Sequence, residues 1–294
     1  MSGVTSDGGA LAPAIGRVVA SGQSHPWRAP GLVIPLAFVL LLAAAMAAPE
    51  WFTARQPDAV DVDAILQLPS PEHWFGTDDL GRDLFCRVIY GTSQSLAIGV
   101  GATALGCLGG IALGTTAALA PSLVRQLLVR LIDILLAFPD LLLALLVIAV
   151  LGRGQVNTLL AVGLAHIAGY ARVVRAQVLQ VRLSGYVEHA VALGEAPWAI
   201  IARHIVPNTT RPLLVLATIG VGSSVLSASA LSFLGLGVVP PAAEWGALLA
   251  NGRNFLEIAP WVSLLPATVV ALSVISITLL GRRLQTLLAR GEAP

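Results

Sequence analysis

Residues 95–120 read SLAIGVGATALGCLGGIALGTTAALA, twenty-six positions without a charge, inside a longer stretch between Arg87 and Arg125 that carries none either. A helix needs about 20 apolar residues, at about 1.5 Å each, to cross about 30 Å of hydrocarbon. This stretch is long enough. Small residues recur in it every fourth position, at Ala102, Gly106, Gly110, Gly114 and Ala118. That spacing places them on one helical stripe, where a second backbone can approach closely.

Working outward, five more segments fit the same template. Gly31 to Ala48 comes before it; Leu131 to Leu151, Val156 to Ala171, Leu213 to Leu236 and Ala259 to Gly281 follow. The expectation is therefore an all-α polytopic membrane protein with six transmembrane helices. Composition agrees: of 294 residues 56% are hydrophobic and only 11% charged, against about 25% charged in soluble domains. The apolar region before Glu50 is long for a cleavable signal and stands behind a long leader, so it reads as a retained span. The first 24 residues, rich in Gly, Ser and Ala, read as a mobile tail.

All 17 basic residues are arginine, which excludes a P-loop lysine and a Schiff-base lysine. Cys86 and Cys107 stand in unrelated contexts and read as free thiols, with no disulfide framework and no metal pair. One orientation collects Arg17, Arg28, Arg125, Arg130, Arg172, Arg175, Arg182, Arg203, Arg211, Arg282, Arg283 and Arg290 on one side, leaving Arg55, Arg82, Arg87, Arg153 and Arg253 opposite. The positive-inside rule makes the first side cytoplasmic, with both termini inside and the acidic loop after the first span outside. That loop, Glu50 to Tyr90, is the longest and is near the lower limit for independent folding, so no loop supplies an enzyme domain.

Several polar residues lie at membrane depth. Asp140 follows Pro139 in the third span, and a carboxylate there is by default a functional candidate, although Pro139 also frees backbone groups it could bond. His166 reads first as a satisfied interhelical hydrogen bond. The fifth span carries Ser223, Ser224, Ser227 and Ser229, and Gly220, Ser224, Ala228 and Ser232 form a small-residue stripe. Close packing and a polar lining of a solute path both fit this helix, with Asp140, Ser223, Ser224 and Ser227 as the candidate lining residues.

Between Arg172 and Arg211 the pattern is two short helices. Ser184-Gly185-Tyr186 opens the first, Glu188 favours its amino end, and Gly194 closes it. Pro197 starts the second, which holds Trp198, Ile200, Ile201 and Ile205, and Pro207 is expected to forbid its continuation. Such an element suits a groove on a partner protein or, alternatively, the lipid headgroup region.

Glu188-His189-Ala190, then Gly194, then Ile205-Val206-Pro207 ending thirteen residues past the glycine, resembles the EAA loop of ABC importer permease subunits, which forms their coupling helix. His189 replaces the family's alanine. His73-Trp74-Phe75-Gly76-Thr77-Asp78-Asp79-Leu80-Gly81-Arg82-Asp83, with Arg87 and Tyr90-Gly91, resembles the extracytoplasmic signature of C-type permeases in dipeptide, oligopeptide and nickel importers. Cys86 stands where serine is usual. Leu231 to Gly237, Pro240-Pro241, Trp245-Gly246 and Ala259-Pro260-Trp261 are similar to the same group, whereas Arg282-Arg283 depart from it.

The resemblance implies a type I ABC importer permease fold, in which 1–30 is a cytoplasmic tail, 31–50 the first transmembrane helix and 51–91 an extracytoplasmic loop. Residues 92–281 are then a permease core of five helices with its coupling loop at 175–211, and 282–294 a second cytoplasmic tail. The implied role is a non-catalytic membrane subunit that imports dipeptides or oligopeptides. The implied partners are a homologous B-type permease, two ABC ATPases or one fused ATPase, an extracytoplasmic solute-binding protein and the bilayer, with no nucleic acid. ATP and Mg belong to the ATPases, and this chain binds no cofactor. The ATPase-docking residues would be Glu188, Ala190, Leu193, Gly194, Pro197, Ile205 and Pro207, with Ala190 and Leu193 packing into the partner's groove.

The extracytoplasmic motif residues Gly76, Thr77, Asp78, Gly81, Arg82 and Asp83 read as a turn held by its own exposed ion pairs, in preference to a solute contact; calcium-loop spacing is absent. Nickel or another small solute is the alternative cargo. A proton-coupled secondary transporter using Asp140 is the rival mechanism. An intramembrane enzyme is disfavoured, since HExxH and GxSxG are absent.

Overall fold

The structure, a computed structural model, describes residues 30–291. The expected first tail therefore falls almost wholly outside the described residues, which omit 1–29, whereas the expected second tail, 282–294, is described as far as Gly291 and continues the last helix. Ten α-helices make up the described part, in the order α1 (Pro30–Ala47), α2 (Leu84–Leu119), α3 (Ser122–Ala137), α4 (Asp140–Leu151), α5 (Gln155–Val181), α6 (Gly185–Ala192), α7 (Pro197–Ile200), α8 (Val206–Phe233), α9 (Trp245–Gly252) and α10 (Trp261–Gly291). The all-α expectation holds.

The uncharged stretch around 95–120 is the inner part of α2, which starts eleven residues earlier at Leu84 and runs for 36 residues. Asp83 caps it, its carboxylate accepting from the Cys86 amide at 2.8 Å, as a free first-turn N–H requires. The small-residue stripe is buried and lies against α5, where Tyr170, Ala171 and Val174 approach the α2 backbone. Around this seam Ile98, Ala102, Ile148, Val162 and Leu231 form one apolar cluster. A second, Val174, Val178, Val187, Ala190 and Ile205, seats α6 and the start of α8 on the end of α5.

Six continuous spans were expected, and the helices correct that count. Four are long and apolar enough to cross a membrane: Leu84–Leu119, Gln155–Val181, Pro212–Phe233 and Trp261–Leu287. The expected third span is broken. Phe138 is extended and Pro139 begins a new helix, so Ser122–Ala137 and Asp140–Leu151 meet at 98° and count as a fifth crossing only if the bent pair is one span. Proline has no N–H and its ring clashes with the preceding turn, which is why the helix cannot run through. The expected first span is a shorter apolar helix, Leu32–Ala47. Exposed apolar residues such as Leu108, Leu142, Leu146 and Val150 give the bundle the outward-facing hydrocarbon surface of a polytopic membrane protein.

The expectation at Pro207 is corrected too. Helical backbone continues from α7 through a π-turn at Ile201–Ile205 straight into α8. The Val206 amide bonds back to the Ile201 carbonyl, five residues away. Widening the turn here gives Pro207 room beside the carbonyls it would otherwise meet, so the helix bulges instead of ending.

Candidate functional site

Three groups of side chains stand out: the α6–α7 element, a polar network around the start of α2, and a cavity between α3–α4, α5 and α8.

The α6–α7 element is built as its sequence suggests, with one change at the cap. Ser184 precedes α6, but its hydroxyl bonds the Val181 carbonyl at 2.6 Å instead of capping α6. Gly194 has φ +77°. Its amide bonds Val191 O at 3.0 Å while the Glu195 amide bonds Ala190 O at 3.1 Å, the paired bonds of a Schellman ending, which favours glycine at this left-handed position. Glu195 and His204 then close the bend with a 3.2 Å contact.

Glu188, Leu193, Gly194, Pro197 and Pro207 are exposed, but Ala190 and Ile205 are buried in this chain's own core. Ala190 therefore cannot pack into a partner's groove as expected. It faces inward because α6 needs one apolar stripe to lie on α5. Val191, Leu193 and Trp198, the last two 83% and 70% exposed, form the apolar surface instead.

Around the start of α2 the expected turn from Gly76 to Asp83 exists, but its ion pairs are buried, not exposed. Asp78 is 1% exposed; its carboxylate accepts from the Leu80 and Arg82 amides at 2.9 Å and pairs with Arg82 Nε at 2.7 Å. Gly81, at φ +71°, lies so close to the Asp61 carbonyl that a Cβ would overlap it. Thr77 donates to the Ala64 carbonyl and accepts from the Gln67 amide at 2.8 Å. Asp83 gathers Arg55 at 3.1 Å and His73 at 2.8 Å besides its capping bond. Buried Arg87 joins Asp58 at 3.1 Å and the carbonyls of Pro57 and Pro241 at 2.9 and 3.1 Å.

Glu244, which the sequence reading passed over, completes this region. It is fully buried at the start of α9 and accepts from the Gly246 and Ala247 amides, each at 2.9 Å, and from Ser95 at 3.3 Å. Burial pushes its carboxyl above the ordinary range, against the amide hydrogen bonds that lower it. Trp245 adds an indole N–H to the Val88 carbonyl at 3.0 Å. The available signal was an acidic residue immediately before an apolar helical run, the position of a helix cap.

The cavity, of about 390 Å³, is lined by Asp140, His166, Tyr170, Ile219, Ser223 and Ser227 among others. Three of the four expected path residues thus meet at one place. Ser224 does not: it is buried behind the wall, 2.9 Å from Thr103 Oγ1 and 3.2 Å from His166 Nδ1. His166 has the satisfied hydrogen bond expected for it and faces the cavity as well. Among the described residues no group of three or more His, Cys, Asp or Glu could hold a metal ion, and both cysteines are free.

A polytopic helical chain with an exposed helix–bend–helix element and a partly polar cavity between its spans fits a membrane transport subunit. The profile of binding-protein-dependent transport system inner membrane components matches residues 110–293. The chain belongs to that family, as a permease subunit of an ABC import system; the family architecture joins a permease pair to ATPases and a solute-binding protein.

Its relatives include the probable D,D-dipeptide transport system permease protein DdpC of Escherichia coli (strain K12), 36% identical over 88% of this chain and 87% of that protein. The dipeptide transport system permease protein DppC of Alkalihalophilus pseudofirmus is 39% identical over 85% and 81%. The glutathione transport system permease protein GsiD of Pectobacterium atrosepticum is 37% identical over 88% and 85%. Among solved structures, an inward-facing MetNI methionine ABC transporter shares the fold, with a TM-score of 0.56 and 19% identity over 68% of this chain and 95% of that chain.

Proposed function

We propose that this chain forms half of the solute path of an ATP-driven importer of short peptides, paired with a homologous permease and worked by separate ATPase subunits. The observation that carries the cargo class is the similarity, over 85–88% of this chain, to relatives named for dipeptides and for glutathione, itself a tripeptide. The four long helices, the bent α3–α4 pair and α1 make six crossings on this reading, with the arginine-rich ends and both termini cytoplasmic. The solute-binding protein delivers from the opposite side, ATP and Mg act on the ATPases, and the protein resides in a bacterial cell membrane.

On this reading the ATPase pair grips the surface made by Glu188, Leu193, Pro197 and Trp198. Nucleotide-driven closure displaces α6 and α7, and the unbroken helical backbone from Pro197 carries that displacement toward Ser223 and Ser227 in the cavity wall. The two-state bias that coupling demands comes from the nucleotide state of the ATPases. Arg82, Asp78, Asp83 and Glu244 hold the outer ends of the helices together while the inner ends move.

The test is uptake of labelled alanyl-alanine by proteoliposomes containing the complete importer and its binding protein. Accumulation is expected only with ATP available to the ATPases. Uptake driven by a proton gradient without ATPase subunits would refute this reading in favour of a secondary transporter.

A further inference from the structure

Hydrogen-bond accounting around the cavity determines which way its groups point their protons. Thr103 Oγ1 donates to the Gly99 carbonyl at 2.8 Å. Its only proton is used there, so its 2.9 Å contact with Ser224 requires Ser224 to donate. Ser224 in turn has no proton left for His166, and the 3.2 Å contact to Nδ1 requires the imidazole to be the donor. In the neutral ring, Nε2 is then an acceptor, on a side chain that lines the cavity.

Ser223 and Asp140 repeat this character, while the Ser227 and Tyr170 hydroxyls beside them can donate as well as accept. Ser223 spends its proton on the Gly220 carbonyl at 2.9 Å and keeps only lone pairs for a ligand. Asp140, exposed in the cavity wall, has no hydrogen bond or ion pair among the described residues, and as a carboxylate it too only accepts. Among the described residues no arginine lines the cavity, while Leu136, Leu216 and Ile219 complete it with apolar surface. At about 390 Å³ it lies at the small end of ligand-sized pockets.

We propose that this cavity is an amino-group site on the solute path, where Asp140, Ser223 and His166 Nε2 accept the hydrogen bonds of a solute's protonated amino group. An ammonium brings three donors and one positive charge, the complement of three acceptors of which one is anionic. With no cation in the wall among the described residues, the carboxylate end of a zwitterionic peptide is left to the partner permease. Asp140 is thus a specificity-determining residue that favours solutes carrying a free amino group over purely anionic ones. This inference rests on the import function proposed above.

The test uses the complete importer in proteoliposomes, alanyl-alanine as probe, and saturating loaded binding protein. Asp140→Asn is expected to lower uptake at least about tenfold, because the amide oxygen still accepts but no longer carries the charge that strengthens its hydrogen bond to an ammonium. Asp140→Glu is expected to retain most of it, and binding-protein-stimulated ATP hydrolysis is expected to persist in both variants. Uptake by Asp140→Asn equal to that of the unaltered importer overturns the site while leaving the import function standing. Equal loss of uptake and ATP hydrolysis in both variants marks a structural role and also overturns it. No ATP-dependent uptake by the unaltered importer overturns the import reading and this inference together.

Discussion

The α2–α5 seam can be tested with a single methyl group. Gly114 faces α5, and a Cβ added there would stand 2.5 Å from the Ala171 carbonyl oxygen, 2.9 Å from Val174 Cβ and 3.1 Å from the Arg175 amide. Two of those atoms are backbone, so the helices themselves must part. Overpacking of this kind costs about 1–3 kcal/mol, offset by about 0.5–1 kcal/mol because alanine is the better helix former. Gly101, on the same helix, is the matched control: its added Cβ would meet only side-chain carbons of Leu159, which can rotate away.

Gly114→Ala should therefore be less stable than Gly101→Ala by about 1–3 kcal/mol. At about 2–4 °C per kcal/mol, the unfolding midpoints should differ by roughly 2–12 °C. The assay is thermal unfolding of the purified permease pair in detergent at one fixed scan rate, since such unfolding is commonly irreversible. Equal midpoints, or a lower one for Gly101→Ala, would show that the seam is not the close backbone contact described.

Other perturbations follow from the same geometry. Gly194→Arg, which puts a branched charge at φ +77° on the exposed bend, should abolish transport while the protein still inserts; normal uptake would contradict the docking surface. Asp78→Asn removes the partner of Arg82 inside a buried pair and should cost about 3–5 kcal/mol, seen as a sharp fall in folded protein recovered from membranes. For Glu244, whose folded-state carboxyl is raised by burial, stability is greatest below the ordinary carboxyl pKa of about 4.3. It declines as pH rises from there toward the folded-state value. Relative to the unaltered chain, Glu244→Gln should therefore gain stability as pH rises, and parallel pH profiles of the two unfolding midpoints would exclude that role.

Much of this architecture was legible because it is local. An uncharged run with small residues four apart specifies both a span and its contact face, and the glycine and prolines of 194–207 mark a bend. What escaped was decided by tertiary packing. Pro207 forbids an ordinary α-turn, but nothing in its neighbours says that a π-turn will absorb it. Ala190 belongs to a family motif, yet its burial is set by where α5 ends. Ser224 and Ser223 are adjacent, and only the position of Thr103 on another helix sends one behind the wall and leaves the other facing the cavity. Glu244 and Ser95 meet across 149 residues, a contact no periodicity announces.

The π-turn between α7 and α8 also has a mechanical meaning. Because the backbone is helical from Pro197 to Phe233, Trp198 and Ser223 ride on one shaft, separated by nearly 40 Å at about 1.5 Å per residue. Thrust along such a shaft needs no relay of side chains. The widened turn at Ile201–Ile205 and Pro212 inside α8 are its soft joints, and their stiffness would set how much of each stroke at the exposed end arrives at the cavity.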